Sequence, residues 1–345
     1  MEIYFYFIAY ISLLAFLYDI FGSKAVLGII IISSSLFVGL RYNTGTDYVS
    51  YVSKYLNFSD YQDRYEPLFV LVTNSLVSLE LPVFVFFLVF AFITNFLSFT
   101  VLSKLSNSLL LSLTIFLGTD IFFRQMNQVR QVAAISIIFF AFRSMLTNRR
   151  ITSLVGILVG GAIHYPSLLV SPFIFLARIK FTKLMLLLIL VLSGIISSGL
   201  LPINYLVEGF TGLVSSRYLR LVTNSPYSYD GLRIYFELLC ALIFVLNLPD
   251  SYSSNLKVRV VTNILVFGIA LQTVLCLTPS IVRLARYLTS FQAIALPVLI
   301  SSSKLSSLSK IVVGLGVALY YLILTALLLI KGKHGVVPYN FYFVF

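Results

Sequence analysis

Tryptophan is absent, cysteine and histidine each occur twice, and charged residues make up only 10% of the 345-residue chain. Each shortage excludes something. An ordinary soluble domain is about one-quarter charged. With so few Lys, Arg, Asp and Glu there is no polar shell for a soluble fold, and too much apolar content for a disordered chain. Cys240 and Cys276 each lie inside an apolar run, so a secreted disulfide scaffold is excluded and no metal spacing is present. The chain lacks a Walker lysine motif and a Gly-x-Ser-x-Gly elbow. It also lacks a paired-aspartate cluster suited to a nucleotide-sugar with a divalent metal. No cofactor or metal is therefore expected. Nor is there an internal repeat of fixed period, which argues against an inverted-repeat transporter.

What the chain has is apolar length. Hydrophobic residues are 59% of the total, with 31 Phe and 22 Tyr, and the mean hydropathy is +1.01. Apolar runs fall near 3–21, 25–40, 67–79, 82–103, 108–123, 129–146, 151–163, 165–177, 184–201, 233–249, 260–278, 288–300 and 311–330. No soluble domain interrupts them, so residues 1–345 read as one transmembrane domain. The expected fold is an all-α polytopic integral membrane protein with about 11–13 membrane helices, short re-entrant elements included. The first run has no basic n-region and no small-residue cleavage site, and reads as a retained span. Net charge is +12, but the basic residues sit between apolar runs. They read as topology-setting loop charge that meets membrane lipid. No basic stripe with interleaved stacking aromatics appears, so nucleic acid is not an expected partner.

Lys104, Arg149 and Arg150, the Arg178/Lys180/Lys183 group, Lys257/Arg259 and Lys304/Lys310 mark one side as cytoplasmic. The long polar stretches 41–66 and 202–232 then lie on the outer face. Between Arg150 and Arg178 the apolar stretch is broken by His164-Tyr165-Pro166. Each half gives roughly 20 Å of helix against a core of about 30 Å, so His164 is expected at the tip of a short hairpin. Two apolar runs separate 41–66 from Lys104, where an odd number of crossings is needed. The short run 67–79 carries Thr73, Asn74, Ser75 and Ser78, and reads as re-entrant or interfacial.

Several constellations have chemistry. Arg41, Asp47, Tyr48, Tyr51 and Glu66 place a cation, carboxylates and rings at the membrane surface, and Gly45 permits a turn bringing Asp47 back toward Arg41. The same residues also read as a solvated loop with a local ion pair. Asp120, Arg124, Gln125, Asn127, Arg130 and Gln131 form a second group, of which Arg130 and Gln131 begin the run 129–146. An arginine there opposes the positive end of the helix dipole unless an anion is present; interfacial snorkelling is the alternative. His164 reads as a structural residue, a general base or an oriented donor. His334, near the end, reads as solvated. Arg283 and Arg286, three apart on one helical face and followed by Tyr287, call for an anion. Arg217 belongs to a weaker group with Tyr218, Arg220, Tyr227, Tyr229, Asp230 and Arg233, which also reads as an ordinary exposed loop.

These strings are similar to a known family. Arg41 with Gly45-Thr46-Asp47-Tyr48 and Tyr51, then Glu66, resembles the opening of the EpsG-like branch of Wzy-type O-antigen and polysaccharide polymerases. Asn127, Arg130, Gln131 and Ala133 resemble its Asn-x-x-Arg-Gln-x-Ala segment. His164 with Ser167 resembles its His-x-Ser-type element, with Tyr165-Pro166 between. Arg283, Arg286 and Tyr287, and the ending Pro338-Tyr339-Asn340-Phe341, resemble its last elements. The resemblance implies a GT-C-like, metal-independent glycosyltransferase of the bacterial inner membrane. Such enzymes join undecaprenyl-pyrophosphate-linked oligosaccharide units at the periplasmic face, and a chain-length co-polymerase is the expected partner. On that basis Arg130, Arg283 and Arg286 are expected on the pyrophosphate, with Arg41 sharing it or pairing with Asp47. Asp47, Glu66 or His164 is the base or hydroxyl holder. Tyr48, Tyr51 and Tyr287 line the sugar path, and Arg124, Asn127, Gln131 and Arg217 complete the substrate contacts. A lipid-linked O-antigen ligase and a lipid-linked oligosaccharide flippase are the alternatives.

Overall fold

The computed structural model describes residues 1–198, 231–277 and 282–344. Among them there is no β-strand, only an isolated antiparallel bridge between Arg41 and Phe341. Five described helices are long and apolar enough to cross a membrane: α1 (Glu2–Phe21), α5 (Val83–Leu105), α8 (Val129–Leu146), α14 (Leu256–Val274) and α17 (Ser307–Ile330). A sixth span arises if the pair Val282–Thr289 and Gln292–Ser302, bent by 43°, crosses as one.

Six shorter apolar helices accompany them: α2 (Lys24–Gly39), α4 (Pro67–Ser78), α6 (Leu109–Gly118), α9 (Arg150–Ile163), α10 (Pro166–Leu176) and α11 (Lys183–Ser197). The remaining α-helices are α3 (Tyr48–Leu56), α7 (Ile121–Arg124), α12 (Gly231–Leu246), α13 (Ser251–Ser254), α15 (Arg286–Thr289) and α16 (Gln292–Ser302).

The burial pattern follows from the bilayer. In α17 only 17% of the apolar window is buried. Leu308, Ile311, Leu315 and Leu319 face outward along it. An apolar surface of that length is stable only against lipid. The chain is thus a multi-pass, all-α membrane protein. Hydroxyls inside these helices return to their own backbone: Thr73 Oγ1 donates to Phe69 O at 2.8 Å and Thr262 Oγ1 to Val258 O at 2.7 Å. That bonding is why Ser and Thr are tolerated in apolar helices. The 12-residue α4 gives roughly 18 Å of helix, short of a core of about 30 Å.

The chain divides into two compact units. The first comprises Met1–Leu169, Leu296–Ser301 and Ser306–Phe345; the second comprises Val170–Ala295 and Ser302–Leu305. In the first unit α2 packs on α5, α5 on α8, and α8 on α9, while α6 packs on α1 and α17. A Cβ on Gly118 of α6 would stand 2.5 Å from Tyr321 O of α17, so the small residue sets how closely these helices approach. The α5 segment Val83–Phe90 supplies Phe86, Phe87 and Phe90, all buried. The tyrosines of α3 lie on those rings at helical spacing, with Tyr48 stacked on Phe87 at 5.1 Å and Tyr55 tilted on Phe86 at 5.6 Å. In the second unit α14 packs on α11, α12 and α15. Its buried Asn263 donates to Ala177 O and Ile179 O at 2.8 and 2.9 Å, which closes the turn after α10.

Candidate active site

The first unit brings together a pair of oppositely charged helix starts. Glu66 is the N-cap of α4, followed by Pro67 at the first helical position. Its carboxylate makes no capping bond there. Instead Oε2 accepts from Arg130 Nη1 at 2.5 Å and Oε1 accepts from the Tyr165 backbone N–H at 3.2 Å. Arg130 is the second residue of α8, where its charge faces the positive end of the helix dipole. The carboxylate compensates it, and the rings of Tyr65 and Phe69 cover the guanidinium at 4.6 and 5.4 Å. Arg130 Nε is buried with no hydrogen-bond partner among the described residues. The Tyr51 phenol stands beside the same guanidinium and hydrogen-bonds to it; burial nonetheless holds its pKa above the ordinary value.

The Glu66–Tyr165 bond ties this pair to the break between α9 and α10. His164 is there in extended backbone, φ −157°, with its N–H on Gly160 O at 2.9 Å and its carbonyl accepting from Ser167 N at 3.0 Å. The His164 side chain is half-buried. Ser167 Oγ is buried without a partner among the described residues. Glu66, Arg130, Tyr51 and the His164 junction, read from separate parts of the sequence, are therefore neighbours. Gln131 is buried next to Arg130 in the chain.

Arg41 goes elsewhere. It is fully buried, and its three nitrogens donate to backbone carbonyls: Nη1 to Val38 at 2.7 Å, Nε to Thr44 at 3.2 Å and Nη2 to Met126 at 3.1 Å. Its Cζ lies 4.1 Å from the Phe87 ring centre. Burial lowers its pKa to about 10, against the opposing field of Tyr48 and other phenols. Gly45 makes the expected turn at φ +103°. The turn serves carbonyl coordination of Arg41 rather than the expected pairing with Asp47, whose side chain is exposed and whose backbone N–H donates to Asn127 Oδ1 at 3.3 Å. Tyr48 is buried among Phe87 and Tyr42.

The end of the chain clamps this turn. Gly45 N donates to Gly335 O at 2.8 Å, Thr46 N to His334 O at 3.0 Å, and Asn127 Nδ2 to His334 O at 2.6 Å. Tyr42 N donates to Asn340 O at 2.8 Å. His334 is not solvated, as its place near the end had indicated. Its Nε2 lies 3.3 Å from Asp120 Oδ2, with the side chain 15% exposed. Asp120 sits at φ 62° and holds Arg124 through both carboxylate oxygens, while Arg124 Nη1 donates to Gln128 Oε1 at 3.3 Å. A histidine followed by glycine in a polar tail carries no local sign of a partner 214 residues earlier.

In the second unit Arg283 is exposed, Arg286 half-buried at the start of α15, and Tyr287 fully buried. Arg217 lies outside the described residues, as does the stretch 202–230 of the second polar loop. Sequence reasoning missed Glu237. It is a buried carboxylate whose Oε1 accepts from Arg233 Nε at 2.8 Å and whose Oε2 accepts from Gln272 Nε2 at 2.9 Å. The available signal was a lone acid four residues after an arginine in an apolar helix, a spacing that favours pairing. Among the described residues no group of three or more His, Cys, Asp or Glu is placed to hold a metal.

Fold and site together define a polytopic helical membrane protein with arginine–carboxylate pairs at and within its apolar helices. The family model of the EpsG family matches residues 24–341, and the chain belongs to that family of polysaccharide polymerase-type membrane proteins. No curated protein and no solved structure shows a significant match.

Proposed function

We propose that this protein is a membrane glycosyltransferase that polymerises undecaprenyl-pyrophosphate-linked oligosaccharide units at the periplasmic face of a bacterial inner membrane. The observation that carries the reading is Arg130: a guanidinium at a helix start, anchored by Glu66 and two aromatic rings, with a buried Nε that has no hydrogen-bond partner among the described residues. In the reaction, a sugar hydroxyl of the acceptor unit attacks the anomeric carbon of the donor chain. The bond from that carbon to the phosphate oxygen breaks, and the lipid pyrophosphate leaves with the electron pair. Negative charge grows on the leaving oxygen, and a preorganised arginine in a water-poor site stabilises it. Helix α8 adds the positive end of its dipole at the same place.

Glu66 takes the acceptor side in this reading. Its carboxylate orients the incoming hydroxyl and receives its proton as the new glycosidic bond forms. His164, one residue from the Tyr165 N–H that Glu66 accepts, is the second candidate for that proton. Arg283 and Arg286 keep the phosphate-binding role their spacing indicates, and a chain-length co-polymerase remains the expected partner. Arg41, Asp47 and Asn127 act in this account by holding the 41–48 turn against the end of the chain.

The test is glycan laddering in cells lacking the gene, complemented at matched membrane levels with wild type, Arg130→Ala or Arg283→Ala. Long ladders with wild type and single repeat units with both variants support the reading. Long chains left unattached to lipid A–core in the null strain point to a ligase. Lipid-linked units retained on the cytoplasmic face point to a flippase.

A further inference from the structure

The second unit holds a polar cluster that the pyrophosphate chemistry does not use. Glu237 lies within α12 at 4% exposure, and Gln292 at the start of α16 is 2% exposed. A carboxylate so placed is costly unless it is paired. Three donors from three helices meet it: Arg233 Nε at 2.8 Å, Gln272 Nε2 of α14 at 2.9 Å, and Gln292 Nε2 at 3.4 Å.

Charge and edge chemistry distinguish this cluster from a phosphate site. Arg233 cancels Glu237, and the two carboxamides are neutral, so the group has no positive surplus to offer an anion. It has instead planar donors and acceptors side by side, which match hydroxyls that both donate and accept. A carboxylate has about four acceptor positions, and three are taken. Gln272 Oε1 receives no hydrogen bond among the described residues. The cluster is also open at one edge, with Gln272 half-buried and the Arg233 side chain 24% exposed. A network serving only to fill the core would be sealed and saturated.

We propose that Glu237, Gln272, Gln292 and Arg233 form a carbohydrate subsite that binds saccharide hydroxyls of a lipid-linked substrate. This rests on the polymerase reading above. The test uses the full-length protein in detergent and follows thermal stabilisation by two probes. One is undecaprenyl pyrophosphate alone; the other is the lipid-linked repeat unit extracted from producing membranes. Wild type is expected to respond to both, more strongly to the glycan-bearing probe. Gln272→Ala and Glu237→Gln are expected to keep the response to undecaprenyl pyrophosphate and to need about tenfold more of the glycan-bearing probe, the size expected for one or two lost hydrogen bonds.

Variants that keep the wild-type half-saturation for the glycan-bearing probe overturn the subsite and leave the polymerase reading standing. Equal wild-type responses to the two probes do the same. Loss of both responses in Gln272→Ala marks a structural network and also overturns it. If wild type responds to neither probe, the polymerase reading itself falls, and the subsite with it. Should Glu237→Gln not fold, Gln272→Ala decides, because Gln272 stands at the open edge.

Discussion

Glu66 Oε2 accepts a hydrogen bond from Arg130 Nη1 at 2.5 Å across 64 residues of chain, and its other oxygen holds the backbone beside His164. One carboxylate thus positions the arginine of one helix start and the broken junction of two others.

Removing the arginine alone strands a buried acid. Arg130→Ala should cost about 3–5 kcal/mol of stability. Arg130→Lys keeps the charge but loses the planar fork, so it should fold near normally and make about 100-fold less polymer. The double variant Glu66→Leu/Arg130→Met should regain most of the lost stability and still make none. Thermal unfolding with glycan ladders measures both quantities, and polymer from the double variant would show the pair to be structural only.

Gly45 occupies a turn that a side chain cannot enter. At φ +103° an added Cβ would lie 2.5 Å from Met126 O and 2.6 Å from Asn127 Oδ1. Gly45→Ala should therefore cost about 2–4 kcal/mol. Gly314→Ala in α17, where nothing lies within 4 Å of the new methyl, should change the melting temperature little.

The chain end is a clamp on the 41–48 turn. Deleting residues 332–345 removes the carbonyl partners of Tyr42 N, Gly45 N and Thr46 N. Amide hydrogen exchange of those residues should accelerate about 100-fold, the equivalent of two lost hydrogen bonds. Exchange within α5 should stay as in the wild type. Uniform acceleration across both regions would indicate global loosening instead.

Alkaline pH reports on Tyr339, which donates to Phe37 O at 2.8 Å. Burial raises its pKa from 10.0 to about 12, although the Arg41 charge lowers it. The folded state then holds a proton that the unfolded chain releases. That stabilisation is fully present below pH about 10 and lost as pH rises toward about 12. Arg41, lowered from 12.5 to about 10, acts with the opposite sign over the same interval and is common to both proteins. The stability advantage of wild type over Tyr339→Phe should narrow between pH about 9 and about 11.5, as read by thermal unfolding. A constant gap would mean that the phenol is not perturbed.

The legible part of the site was its residue types and their order. An arginine opening an apolar helix, as Arg130 does, signals an unmet charge at a dipole end, whatever comes to meet it. That Glu66 meets it was not legible, because two residues 64 apart leave no periodicity between them. Arg41 shows the converse: its guanidinium looked available for an anion, but backbone carbonyls take all three nitrogens, and carbonyls are the same in every sequence. Glu237 went unmarked since its partners Gln272 and Gln292 come from other helices and carry no charge.

Hydropathy and helical spacing are local, and by themselves they determined that this chain is helical, where its apolar helices run and that it lives in a membrane, but not the helix Tyr48–Leu56 inside the polar stretch 41–66. A run of apolar side chains meets lipid or a neighbouring helix wherever it is placed. Which buried charge meets which, and whether an arginine serves an anion or a turn, was decided only by the tertiary structure. The electrostatic cost of a buried charge is met by groups that packing brings within about 3 Å, and chain order says nothing of those distances.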